Sequence, residues 1–102
     1  IFEPHRYSRV MSLKIKFSKC FVKSNLVILC PLYPAGEKKN LRFDQFKFAN
    51  LIGKNSKTQV IIVKNIEELI NYFRKNLTQE EIIIGMGAGA ISKWMAKLKT
   101  SL

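Results

Sequence analysis

An open α/β sheet, mostly parallel and with helices on both faces, is the fold class this sequence predicts. Three observations predict it. Short apolar, β-branched runs recur at Leu26–Cys30, Gln59–Val63 and Glu81–Ile84, the mark of strands covered on both faces. Stretches with helical period and length lie between them, and such alternation makes a parallel sheet joined by crossovers. Hydrophobic residues make up 47% of the 102 positions, enough for one core, since a chain of this size buries roughly 60–70% of its unfolded surface. The reading is a single domain over residues 1–102. Its sheet is incomplete at the N-terminus, where Ile1–Glu3 is the stub of a truncated strand, so the chain reads as a piece of a longer protein.

In chain order, Pro4 lacks a backbone N–H and biases Glu3 toward an extended conformation. Ile1-Phe2-Glu3 therefore reads as a strand end, and His5 to Arg9 as the turn that leaves it. Ser8 or Ser12 can cap a helix to about Lys23, with Met11, Leu13, Phe17, Cys20 and Phe21 as its buried stripe. After Leu26–Cys30, two prolines and a glycine make Pro31 to Asn40 a loop. A helix follows from about Phe43 to Ile52, with Phe46, Ala49 and Phe43 inward and Gly53 as its stop. Asn65 caps the next helix, to about Lys75, with Glu68 placed for a capping box and Ile66, Leu69, Ile70 and Phe73 inward. Gly85-Met86-Gly87-Ala88-Gly89 turns the last strand into a helix from Ala90 to about Lys99.

Composition excludes several classes. No run approaches the roughly 20 apolar residues that span a bilayer, and no signal-peptide pattern stands at the front. Cys20 and Cys30 form no Cys-x-x-Cys and no cluster with the single histidine. They read as reduced thiols of a cytosolic protein, and no metal site is predicted. The net charge of +11 raises nucleic acid as a partner. The lysines are dispersed, however, with no block of five or six like charges, which argues against it.

Three loops at strand carboxyl ends carry the candidate chemistry: His5 to Arg9, Pro31 to Glu37, and Gly85 to Gly89. In a parallel sheet all three open on one edge, where ligands bind. Arg6 and Arg9, at i and i+3, suit bidentate grip of a carboxylate or phosphate. Gly87, Ala88 and Gly89 lead into a helix N-terminus, a place where an anion can sit. The loop is neither a P-loop nor a dinucleotide fingerprint. A tight strand-to-helix turn, a solvated helix start at Arg6–Arg9 and a structural His5 are the plainer readings. No nucleophile–base pair can be read, so no residue is assigned a catalytic role.

Phe2-Glu3-Pro4-His5-Arg6-Tyr7-Ser8-Arg9 resembles the Phe-x-Pro-His-Arg-Tyr-[Ser/Thr]-Arg signature of the Mur ligase family, in the C-terminal domain of its alanine-adding members. Tyr33-Pro34-Ala35-Gly36-Glu37 is similar to their Tyr-x-Ala-Gly-Glu loop, and Gly87-Ala88-Gly89 to their Gly-Ala-Gly-[Asn/Asp]-Ile-Gly turn. Two places depart from the pattern: Ala90 stands at the Asn/Asp position, and Lys38-Lys39-Asn40-Leu41-Arg42 replaces a Pro-rich stretch.

The resemblance implies a Rossmann-like third domain of a cytoplasmic bacterial ligase of peptidoglycan synthesis. It closes over ATP, Mg²⁺ and UDP-N-acetylmuramate held mainly by other domains. The family reaction phosphorylates a carboxylate, and the amine of L-alanine attacks the acyl phosphate. His5, Arg6, Arg9, Tyr33 and Glu37 fall at substrate-meeting positions, and Gly87, Ala88 and Gly89 lie near the nucleotide. By itself the chain, lacking the P-loop domain, is expected to be inactive. The alternative is a free-standing basic α/β module that binds nucleic acid or another polyanion.

Overall fold

The computed structural model describes all 102 residues, Ile1–Leu102. In order along the chain come α1 (Tyr7–Ser18), β1 (Leu26–Leu29), α2 (Gln45–Ser56), β2 (Gln59–Ile62), α3 (Ile66–Asn76) and α4 (Ile91–Ser101). β1 and β2 form the one regular ladder, parallel, in the register Leu26 with Gln59 through Leu29 with Ile62. Two further extended segments widen the sheet by isolated bridges. Phe2 pairs in parallel with Leu29 on one side and with Met86 on the other. Across the sheet the order is therefore β2, β1, residues 1–3, residues 84–86. That is the 3-2-1-4 order of a Rossmann-like half-sheet.

Side chains alternate across this sheet and make two cores. Phe2, Val27 and Leu29 pack with Val10 of α1 and with Phe48, Ala49 and Ile52 of α2. Ile28, Cys30 and Val63 pack on the opposite face with Leu69, Ile70 and Phe73 of α3 and with Ile91 and Leu98 of α4. Helices cover both faces, as the continuous apolar runs predict. The helix after residues 1–3 lies on one face and the helix after residues 84–86 on the other. The crevice between those two neighbouring segments is thus a topological switch point.

Several expected elements shift. The strand expected at Glu81–Ile84 pairs only at its end: the Ile1 amino group donates to Ile84 O at 2.8 Å, Met86 N to Ile1 O at 2.8 Å and Glu3 N to Met86 O at 2.9 Å. Ile82 is 88% exposed. The first helix stops at Ser18 rather than Lys23. Ser56 Oγ donates to Ser18 O at 2.5 Å and accepts from Phe21 N at 3.1 Å, drawing away groups that a continuing helix would use. Val10, outside the expected stripe, is fully buried, and Cys20, expected to be buried, is exposed.

α2 starts at Gln45 because Asp44 accepts from Phe46 N and Lys47 N. Packing against the sheet turns Phe48, Ala49 and Ile52 inward and leaves Phe46 67% exposed. Gly53 lies inside α2 rather than ending it. The helix runs on to Lys57, whose φ of 52° breaks it. α3 follows expectation, with Asn65 accepting from Glu68 N at 2.9 Å. Glu68 itself reaches back to Lys64 N at 2.8 Å, one residue beyond a standard capping box.

Candidate functional site

Backbone pairing carries the strand ends past the sheet and into register with one another. Tyr33 N donates to Pro4 O at 2.8 Å, and Arg6 N donates to Tyr33 O at 2.8 Å. This places His5 opposite Tyr33 in a parallel bridge, and the two rings stack. The third loop closes on the same ring. A Cβ on Gly89 would overlap the Tyr33 ring, approaching two of its atoms to 2.6 and 2.7 Å. Only a residue without a side chain brings backbone that near. The loops of His5, Tyr33 and Gly89 thus form one continuous wall at the switch point.

Two helices begin at this wall, and each is capped by a carboxylate from elsewhere in the chain. α1 has no side-chain cap of its own at Arg6. Glu37 supplies it: Ser8 N donates to Oε1 at 3.2 Å and Ser8 Oγ to Oε2 at 2.5 Å. The Ser8 hydroxyl, above all, holds the Glu37 carboxyl below the ordinary glutamate range, helped by the backbone of Ser8 and Tyr7 and by the nearby Arg6 charge. α4 likewise has no cap at Ala90. Glu3, only 5% exposed, accepts from Gly89 N at 2.9 Å and from Ala90 N at 3.0 Å. A carboxylate at a helix N-terminus satisfies free N–H groups and meets the positive end of the helix dipole.

The cations of the site are uncommitted. Arg6 and Arg9 are exposed, and neither forms an ion pair. The one ion pair of the chain joins Lys97 to Glu67, far along the fold, at 3.8 Å. Arg6 also has an unusual backbone, with φ 61° and ψ 133°. A non-glycine residue there stores strain of about 1–3 kcal/mol, a feature that concentrates at functional sites.

The structure therefore brings together His5, Tyr33, Glu37 and Gly89 by contact or by a shared helix start, with Arg6 at the N-cap of α1 and Arg9 in its first turn. Gly87 lies against Glu3, whose Cβ and Oε1 would each be 2.9 Å from a Cβ placed there. Gly87, Ala88 and Gly89 thus line a helix end already occupied by an internal anion. The residue pattern pointed to neither Glu3 as an α4 cap nor Ser8 as the partner of Glu37. Both links span the chain, 86 and 29 residues apart, and no local signal encodes them. No group of three His, Cys, Asp or Glu side chains converges on a point that could hold a metal ion. A nucleotide-bound Mg²⁺ would find no ligand cluster in this chain, whereas the two free guanidiniums fit an anionic group.

No protein-family model matches the chain. Comparison with curated proteins finds UDP-N-acetylmuramate–L-alanine ligases. That of Pelagibacter ubique is 46% identical over 98 residues, covering 96% of this chain and 21% of the ligase. That of Prochlorococcus marinus is 34% identical, covering 100% of the chain and 22% of the ligase. That of Desulforapulum autotrophicum is 32% identical, covering 89% and 20%. The chain spans about a fifth of the length of the curated relatives it matches. With the switch-point crevice and its three motif loops in place, the chain is a Mur ligase-related region, homologous over nearly all its residues to part of the UDP-N-acetylmuramate–L-alanine ligases.

Proposed function

We propose that this region acts as the C-terminal, substrate-closing domain of a cytoplasmic, ATP-dependent ligase that joins L-alanine to UDP-N-acetylmuramate in peptidoglycan synthesis. The observation that carries the proposal is the meeting of three motif loops around Tyr33, with Arg6 and Arg9 unpaired at their edge. Support also comes from relatives named for that reaction. No helix is long and apolar enough to cross a membrane.

The proposed chemistry has two steps. The UDP-N-acetylmuramate carboxylate takes the γ-phosphoryl group of ATP, giving an acyl phosphate and ADP. The alanine amine then attacks the acyl carbon, and inorganic phosphate leaves. A free amino acid offers one strong handle, its carboxylate, and the acyl phosphate offers a second anion nearby. One guanidinium cannot meet both geometries, which is a physical reason for two. In this reading Arg6 and Arg9 hold these anions. His5 and Tyr33 present a flat polar wall against the amino acid. Glu37 keeps the start of α1, and with it both arginines, in place. ATP and Mg²⁺ rest mainly on other parts of the protein, and the 102 residues alone are inactive. The alternative, a basic module for polyanions, has only the net charge in its favour.

Steady-state kinetics in the ligase that carries this chain test the proposal. Arg9→Ala should cost about 2–5 kcal/mol in kcat/KM for L-alanine. Arg9→Lys keeps the charge but loses the fork, and should also be harmful. Near-wild-type kcat/KM in both variants, with unchanged melting temperatures, rejects the assignment.

A further inference from the structure

Glu3 is a charged residue almost wholly withdrawn from solvent, and the proposed chemistry does not use it. Its two carboxylate oxygens are spent on the amides of Gly89 and Ala90. Those amides are the groups a helix start would otherwise turn toward a phosphate. The fit around Glu3 is close: its side chain fills the space beside Gly87 that any larger residue there would need. Through Gly89 the contact passes directly to the Tyr33 ring, and from Tyr33 to His5. Glu3 itself is anchored by its backbone N–H, which donates to Met86 O.

We propose that Glu3 is a positioning residue of this site: its carboxylate is a resident anion on the N-terminus of α4, holding the glycine turn against Tyr33 and leaving an incoming phosphate or carboxylate only the Arg6 and Arg9 side of the crevice. The proposal rests on the reading of the site given above, and it changes the part played by the glycine turn. Gly87, Ala88 and Gly89 shape the wall, and the amides of Gly89 and Ala90, held by Glu3, do not cradle the nucleotide.

The test is chemical rescue. In Glu3→Ala the seat is emptied, so the Gly89 and Ala90 amides should exchange about tenfold faster or more, as expected when charge-assisted hydrogen bonds are lost. The melting temperature should fall. Sodium formate or inorganic phosphate, compared with sodium chloride at equal ionic strength, should then raise the melting temperature of the variant and slow exchange at both amides. In the wild type, where Glu3 already holds both amides, neither anion should slow their exchange. Glu3→Gln keeps one acceptor and the side-chain shape, so it should exchange at an intermediate rate and show no rescue, because its amide still fills the seat. This variant keeps the test decisive if Glu3→Ala does not fold.

Unchanged exchange at Gly89 and Ala90 in both variants overturns the inference. So does an equal formate or phosphate effect on the wild type. Failure of the ligase reading looks different: Arg9→Ala would leave turnover of the ligase unaltered while rescue of Glu3→Ala persisted, and the anchor would then stand without that reaction.

Discussion

The ring of Tyr33 stacks nearly parallel to the imidazole of His5 and offset from it, with centroids 5.6 Å apart and planes 10° from parallel. The two residues come from different loops, and parallel backbone pairing at the strand ends sets them face to face. Gly89 supports the other end of this arrangement by its lack of a side chain. Gly89→Ala should therefore force the Tyr33 ring aside and cost about 1–3 kcal/mol, the usual effect of overpacking. A thermal melt measures the loss. Disappearance of ring-to-ring NOEs between His5 and Tyr33 locates it.

Gly53 makes the opposite case. It sits inside α2, where a Cβ would meet Thr58 O at 3.4 Å and Val60 Cγ2 at 3.7 Å, both ordinary contacts. A helix-interior glycine costs about 0.5–1 kcal/mol relative to alanine. Gly53→Ala is expected to stabilise the chain by that amount in urea unfolding, and a lower midpoint would contradict the fit described.

Arg6 separates backbone strain from charge. Arg6→Ala and Arg6→Gly both remove the guanidinium, but only glycine relaxes a backbone at φ 61° and ψ 133°. After the entropy cost of glycine is subtracted from the strain relieved, Arg6→Gly should be the more stable of the two by about 1 kcal/mol. Paired urea titrations of the two variants decide it. If the strain aims Arg6 into the crevice, both variants should lose turnover in the ligase alike.

The Glu37 carboxyl gives a pH signature. Its pKa lies below the ordinary value of 4.5 in the folded chain, chiefly because the Ser8 hydroxyl bonds the charged form. A depressed folded pKa contributes stability that is fully present above the unfolded value and lost as pH falls through the folded one. The link between α1 and the Tyr33 loop should therefore hold near neutrality and loosen only below about pH 4.5. In a carbon-detected NMR titration, Ser8→Ala should move the Glu37 midpoint upward toward 4.5. An unmoved midpoint would deny the Ser8 contact its role.

Residue pattern alone determined the β1 and β2 runs, the α/β alternation, the α3 cap at Asn65 and the three motif loops. These are local or periodic signals, readable wherever apolar spacing and turn residues agree. Only the tertiary structure decided where helices stop and which faces turn inward. Ser56 ends α1 across 38 residues, packing against the sheet turns Phe48, Ala49 and Ile52 inward and leaves Phe46 exposed, and Phe2 bridges Leu29 on one side and Met86 on the other. The site divides the same way. Pro4, His5, Arg6, Arg9, Tyr33 and Glu37 are conspicuous in the sequence because their chemistry is distinctive. The partners that set their geometry are an ordinary glutamate and an ordinary serine. Glu3 on α4 and Ser8 on Glu37 exist as contacts only once the parallel strands have folded side by side, because hydrogen bonds between residues distant in sequence depend on topology and leave no local trace.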